Sequence, residues 1–205
     1  MAATVNSMRS RWSKPLLFLL CTLPFWALVY NGATNNLTAN PIKEITHFTG
    51  EWALHFLLIT LAITPLRRLT GNNSLIRFRR MLGLFAFFYA CLHFCTYLVL
   101  DQFFDWHEIV QDVAKRPYIT VGFSAFVLLI PLALTSTNKM VQRLGRNWRR
   151  LHSLIYPIAI LVICHYLWLV KADILPPLLY GLVLCLLLAL RTPWLKPSLL
   201  RQKQA

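Results

Sequence analysis

Long apolar runs punctuated by short basic clusters make up this chain, and the runs set the reading. Six of them stand out, at roughly Pro15 to Tyr30, His47 to Leu66, Met81 to Leu100, Tyr118 to Ser136, Leu151 to Val170 and Leu175 to Leu190. A helix satisfies its own backbone hydrogen bonds, so lipid tolerates it, and about 20 residues rising ~1.5 Å each cross a hydrocarbon core of ~30 Å. The pattern predicts an all-α integral membrane protein, a bundle of six transmembrane helices forming one membrane domain over residues 1–205. The first and last runs are short, and their ends are the least defined. The first follows a basic start, as a signal peptide would, but no small-x-small cleavage site comes after it, so it is read as a helix.

Charge gives the bundle an orientation. Lys and Arg resist translocation and collect in cytoplasmic loops. With both termini cytoplasmic, 17 of the 21 basic residues lie inside: Arg9, Arg11 and Lys14; Arg67, Arg68, Arg77, Arg79 and Arg80; Lys139, Arg143, Arg146, Arg149 and Arg150; Arg191, Lys196, Arg201 and Lys203. All seven acids, Glu44, Glu51, Asp101, Asp105, Glu108, Asp112 and Asp173, fall on the other face. The formal charge of +14 therefore flanks apolar segments. It does not form the basic face of a water-soluble body, which argues against nucleic acid as a partner and for membrane lipid.

The rest of the chain narrows the chemistry. The longest connection, Asp101 to Pro117, reads as a loop too short to fold as a domain. Trp26, Trp52 and Trp168 fall toward the outer boundary and Trp12, Trp148 and Trp194 toward the inner one, at headgroup depth. Cys21, Cys91, Cys95, Cys164 and Cys185 sit inside the spans without a CxxC pair, suggesting neither a disulfide framework nor a zinc site. No internal repeat, GxGxxG or P-loop is visible, and no acid lies mid-span, which weakens a proton-coupled transporter reading.

Histidines inside spans carry the candidate chemistry, because ionisable groups are costly there. His93 lies about 18 Å into the third helix from its cytoplasmic end and His165 about 21 Å into the fifth. The two helices run in the same direction, so these imidazoles can meet at one depth in the outer half of the membrane. A pocket between Phe87, Phe88, Phe94, Tyr97, Tyr166 and Leu167 would suit a b-type haem with His93 and His165 as its two axial ligands; two core histidines bonded to carbonyls are the plain alternative. His152 precedes His165 by about 20 Å along the axis, a separation suited to a second, inner haem. On a straight helix the two side chains point ~140° apart, so a shared face needs a kink, for which Pro157 is the candidate. No partner for His152 is evident, and a role at an interface or beside a quinone or flavin is equally open. His47, Glu51 and His55 fall along one side of the second helix as a further candidate site, with His55 deep enough to ligate a second haem. His107, in DQFFDWHE, reads as solvated.

Ordered motifs then point to a family. They are HFTG at 47–50, ITPLRR at 63–68, RRMLG at 79–83, RPY at 116–118, TST at 135–137, LGRNWRRLHSLIY at 144–156 and HYLW at 165–168. Together, over nearly the whole chain, they resemble the MsrQ (YedZ) family, within the ferric-reductase-like transmembrane group. The resemblance implies a six-helix haem b protein of the bacterial inner membrane, carrying one or two haems. Its partner would be a periplasmic molybdopterin-containing reductase subunit that reduces methionine sulfoxide in oxidised proteins, the two forming a heterodimer. Electrons would come from the quinone pool or from a cytosolic flavin reductase, with FMN as a further cofactor. The family's ligand positions match His93, His152 and His165, and none falls on His55 or His107.

The expected mechanism is electron transfer across the membrane, with haem between His93 and His165 and no catalytic side chain. Two imidazoles leave the iron no open position, favouring relay over oxygen chemistry. Asp101, Asp105, Glu108 and Asp112 offer a docking surface, or a plain solvated loop. Arg77, Arg79, Arg80, Arg149 and Arg150 would attract anionic lipid or a flavin phosphate, though topology alone also accounts for them. The rival readings are a stand-alone ferric or other metal reductase, and a haem-free channel or transporter.

Overall fold

The computed structural model describes residues 2–191 except Lys171, with side chains from residue 12 onward. Trp194, Lys196, Arg201, Lys203 and the side chains of Arg9 and Arg11 lie outside the described residues. The chain folds as α1 (Ala2–Ala33), α2 (Pro41–Thr70), α3 (Ile76–Cys95), α4 (Trp106–Lys115), α5 (Pro117–Leu134), α6 (Asn138–Leu144), α7 (Arg146–His152), α8 (Ile155–Leu169) and α9 (Leu175–Ala189). Among the described residues there is no strand.

Five stretches are long and apolar enough to cross a membrane: Trp12–Ala33, Pro41–Thr70, Asn73–Asp101, Pro117–Leu134 and Arg146–Leu169. The sixth expected span is α9, whose 15 residues reach only about 22 Å at ~1.5 Å each, short of a ~30 Å core. Helix ends follow ordinary capping chemistry. Asn40 accepts from the Lys43 N–H ahead of Pro41 at the start of α2, and Gly71, at φ 71°, closes that helix in a left-handed turn.

Two expectations are corrected. The segment between Asp101 and Pro117 is not a plain loop but contains the amphipathic helix α4. Asp105 caps it by accepting from the N–H groups of His107 and Glu108; the sequence signal, Asp followed three residues later by Glu, was present. The break in the fifth span lies at Ser153 and Leu154, between α7 and α8, and not at Pro157, which sits in the first turn of α8 where proline is tolerated.

The interior is built around α2 and α3, which pack on each other, and α5 and α8, which pack on each other in turn. Leu54, Phe56, Leu57, Leu61, Phe85, Ala86, Tyr89, Ile158 and Ala159 form the centre of the core. Trp52, expected at the headgroups, packs inward against Phe56 and Tyr89. Leu19, Leu23, Leu178, Leu182 and Leu186 stay outward, the arrangement of a body solvated by lipid.

Tyr89 is fully buried and ties α1 to the bundle. Its hydroxyl donates to the Cys21 carbonyl at 2.9 Å and accepts from the Phe25 N–H at 3.0 Å, inserting into the helical ladder beside Pro24. Tyr89→Phe strands both backbone groups unless the ladder re-forms. A loss of about 1–3 kcal/mol is expected, read as a lower unfolding temperature in detergent; an unchanged temperature would show that the ladder closes on itself.

Candidate paired-histidine site

His93, near the end of α3, and His165, in α8, are brought together as expected. Their ring centroids are 6.1 Å apart with the planes at 78°. His93 Nδ1 lies 2.9 Å from the Thr46 carbonyl and His165 Nδ1 lies 2.7 Å from the Tyr118 carbonyl. A carbonyl oxygen only accepts, so in both rings Nδ1 must carry the proton and donate. In a neutral imidazole that fixes the tautomer and leaves the Nε2 lone pair free, as metal-ligating imidazoles are held. Two imidazoles sharing one metal need two bonds of about 2 Å plus about 1.1 Å from each nitrogen to its ring centre, roughly 6.2 Å in all. The observed 6.1 Å is compatible with that span.

The backbone changes character next to His93. From Thr96 to Asp101 the helix widens into a π-turn, a feature found disproportionately at functional sites. Thr96, buried, donates to the His93 carbonyl from its hydroxyl at 2.8 Å, beside the bond from its own backbone N–H.

Both histidines line a cavity of about 1180 Å³. Much of its lining is apolar, with Leu54, Leu57, Leu129, Ile158 and Val162, while Asn40, Lys43, His47, Glu51, Asp101 and Arg116 add polar groups. Of the expected aromatic walls, Phe94, Tyr97 and Tyr166 line the cavity. Phe87, Phe88 and Leu167 do not. Phe87 stacks on Phe126, and Phe88 meets Phe25 edge-on. Phe123, Phe126 and Trp106 take their place. Trp106 comes from α4, whose inner face helps cover the cavity.

A repeat invisible in the amino acids appears in the geometry. Thr46 and His93 recur as Tyr118 and His165, each partner 72 residues after its counterpart (46 to 118, 93 to 165). The hairpins α2–α3 and α5–α8 thus supply one half-site each.

The remaining histidines stand apart. His152 lies outside this cavity, stacked on Trp148 at 4.0 Å with its Nε2 3.0 Å from Thr135 Oγ1. Thr135 already donates to the Pro131 carbonyl at 2.6 Å, so its oxygen accepts from His152 Nε2–H. That nitrogen is therefore engaged, unlike its counterparts in His93 and His165. His55 bonds Tyr180 at 2.7 Å and does not line the cavity, whereas His47 and Glu51 do. His107 is exposed on α4. In the acidic segment Asp112 is buried, ion-paired with Arg116 at 3.2 Å and bonded by Gln102; Asp101, Asp105 and Glu108 stay open. All five cysteines are free thiols, and the described residues hold no cluster of His, Cys, Asp and Glu suited to a metal ion.

A multi-pass helical membrane protein with paired imidazoles inside its bundle defines the class, and the family described as "Ferric reductase like transmembrane component" matches over residues 16–163. The chain is 58% identical over 184 residues to the protein-methionine-sulfoxide reductase heme-binding subunit MsrQ of Herminiimonas arsenicoxydans, covering 88% of this chain and 84% of that one. It is 58% identical over 174 residues to the MsrQ of Xanthomonas euvesicatoria pv. vesicatoria (strain 85-10), covering 85% and 79%. The chain belongs to the MsrQ family. No solved structure matches it.

Proposed function

We propose that this chain is the haem b-carrying electron-transfer subunit of a protein-methionine-sulfoxide reductase system, relaying electrons across the bacterial inner membrane. The observation that carries the reading is the pair of carbonyl-anchored imidazoles 6.1 Å apart in an apolar cavity. The donor set fits haem. Both rings are anchored through Nδ1, which leaves Nε2 to serve as the ligand atom, and the aromatic walls of Phe94, Phe123 and Phe126 suit a flat apolar macrocycle. Bound there, haem supplies a one-electron redox centre. The protein's part is to fix both imidazoles and to exclude water with Leu54, Leu57 and Ile158. His93 and His165 would hold the haem iron, and with both imidazoles bound it would offer oxygen no site.

The electron acceptor is proposed to be a periplasmic molybdopterin-containing reductase subunit, in a heterodimer, and the donor the quinone pool or a cytosolic flavin reductase, with FMN. His152 is proposed as the contact of an inner haem or of the donor. Its position at the basic end, close to Arg79, supports this; serving as a ligand through Nε2 would require release from Thr135.

α9 is proposed as the sixth crossing, with both termini cytoplasmic. Its outward leucines need lipid, and the basic segments meet at one end of the bundle: Arg68 donates to the Leu190 carbonyl at 3.2 Å and Arg80 to Asn138. A green fluorescent protein fused to the C-terminus should therefore fluoresce and an alkaline phosphatase fusion stay inactive; the reverse pattern would overturn this topology.

The deciding experiment records absorption spectra of the detergent-purified chain, oxidised and dithionite-reduced. A low-spin b-type spectrum unaltered by carbon monoxide is expected. A colourless protein, after adequate haem supply during expression, would sink the electron-transfer reading.

A further inference from the structure

We infer that Gly50 and Gly122 are positioning residues for the two imidazoles, the second element of a cradle built twice, and that they set the redox behaviour of the centre through His93 and His165. The inference rests on the haem reading above. It starts from a steric fact. A Cβ added to Gly122 would lie 2.6 Å from His165 Nδ1 and 2.8 Å from Cε1, and one added to Gly50 would lie 3.0 Å from both Nδ1 and Cε1 of His93. Real Cβ atoms essentially never come closer than 3.0 Å. Both glycines also line the cavity.

Helix geometry explains why glycine is required there. The carbonyl of residue i points along the axis toward residue i+4, and the Cβ of residue i+4 tilts back toward the N-terminus, over that carbonyl. A donor reaching the carbonyl from another helix must therefore occupy the space of the i+4 side chain. Thr46 and Gly50 stand in that relation, as do Tyr118 and Gly122, and the 72-residue offset relating the two histidines and the two carbonyls relates the glycines as well (50 to 122). Carbonyl, glycine and imidazole thus form one device, present in each hairpin. The other helical glycines inside the bundle lack it. A Cβ on Gly83 would meet Thr60 at 3.7 Å and one on Gly181 would meet Ile163 at 3.5 Å, ordinary contacts.

The electronic consequence follows from the same bond. A proton shared between Nδ1 and a carbonyl makes the imidazole a stronger donor through Nε2, which favours the oxidised, more positive metal. An alanine that pushes the ring off its carbonyl removes that help. The centre should then bind less tightly and be easier to reduce. Gly122, with the closer approach, should matter more than Gly50.

The test uses the full-length chain in detergent, comparing the parent with Gly50→Ala, Gly122→Ala, and Gly83→Ala and Gly181→Ala as controls. Haem-to-protein ratio, low-spin ferric paramagnetic resonance and midpoint potential are read, with size-exclusion profiles reporting folding. Gly122→Ala should lower haem affinity on the order of 10–100-fold, the usual cost of losing an outer-shell partner. Gly50→Ala should retain more haem, with an altered resonance and a higher midpoint potential. The controls should match the parent. If Gly122→Ala fails to accumulate, Gly50→Ala decides the matter through its potential and resonance. A haem-loaded parent with unchanged alanine variants overturns this inference alone; a haem-free parent overturns the functional reading with it.

Discussion

His93→Ala and His165→Ala should each abolish the b-type spectrum expected of the parent chain. The two ring centroids lie 6.1 Å apart, and of the other histidines only His47 lines the same cavity: His55 is held by Tyr180 and His152 by Thr135. Removing an outer-shell partner already costs on the order of 10–100-fold in metal affinity, so removing a ligand must exceed that. The centre should be lost or, where haem stays, become high-spin and open to carbon monoxide. His55→Ala should keep the parent spectrum, since its imidazole lies outside the cavity lining. His152→Ala should preserve the signal of the His93–His165 centre while removing any second one. A single-histidine variant that retains an unaltered low-spin spectrum would place the haem elsewhere.

Arg191→Leu should cause a large loss of stability for a single polar side chain. Pro65 has no N–H, which leaves the Leu61 carbonyl one turn earlier without its helical partner in an apolar setting. Arg191 supplies the missing donors, from Nε at 3.2 Å and Nη2 at 2.5 Å, while Nη1 reaches the Tyr156 hydroxyl at 2.9 Å. One guanidinium thereby joins α2, α8 and the end of α9. Charge-assisted hydrogen bonds are worth about 1.5–3 kcal/mol each, and allowing for the cost of holding the side chain, a net loss of about 3 kcal/mol is expected. That corresponds to a fall in unfolding temperature on the order of 10 °C for a chain of this size. Arg191→Lys should recover only part, because an ammonium lacks the fork that spans two acceptors. Restoring the N–H with Pro65→Ala should shrink the cost of Arg191→Leu, since the alanine N–H would then donate to the Leu61 carbonyl within the helix. Equal costs in both backgrounds would show that Arg191 acts through something other than this carbonyl.

Much of the site was legible because its members are chemically conspicuous. A histidine in an apolar span is expensive, and two of them at matched depth on parallel helices, His93 and His165, could be paired from helical rise alone. Periodicity likewise puts His47, Glu51 and His55 on one side of α2; His47 and Glu51 line the cavity, whereas His55 turns to Tyr180. The walls were harder. Phe94, Tyr97 and Tyr166 line the cavity and Phe87, Phe88 and Leu167 do not, since proximity in sequence to a ligand does not say which way a helix is turned about its axis. The partners of the imidazoles were out of reach: Thr46 and Tyr118 contribute backbone oxygens, which every residue has, and Gly50 and Gly122 contribute the absence of a side chain. The fate of His152 was equally hidden, because whether its nitrogen is free depends on Thr135, seventeen residues away and itself already committed to Pro131.

By itself the sequence determined that the chain must fold as lipid-solvated helices, since runs of some 20 apolar residues admit no other backbone solution in hydrocarbon. It also determined, through spacing along a fixed rise, that two imidazoles stand at one level, and through the order of its motifs the family. Only the tertiary structure decided how those helices are rotated against one another. Rotation selects which carbonyl each imidazole meets, which glycine makes room for it, where α7 breaks from α8, and that Tyr89 and Arg191 repair the ladders beside Pro24 and Pro65. These choices depend on contacts between residues far apart in the chain, where packing, rather than any local preference, sets the energy.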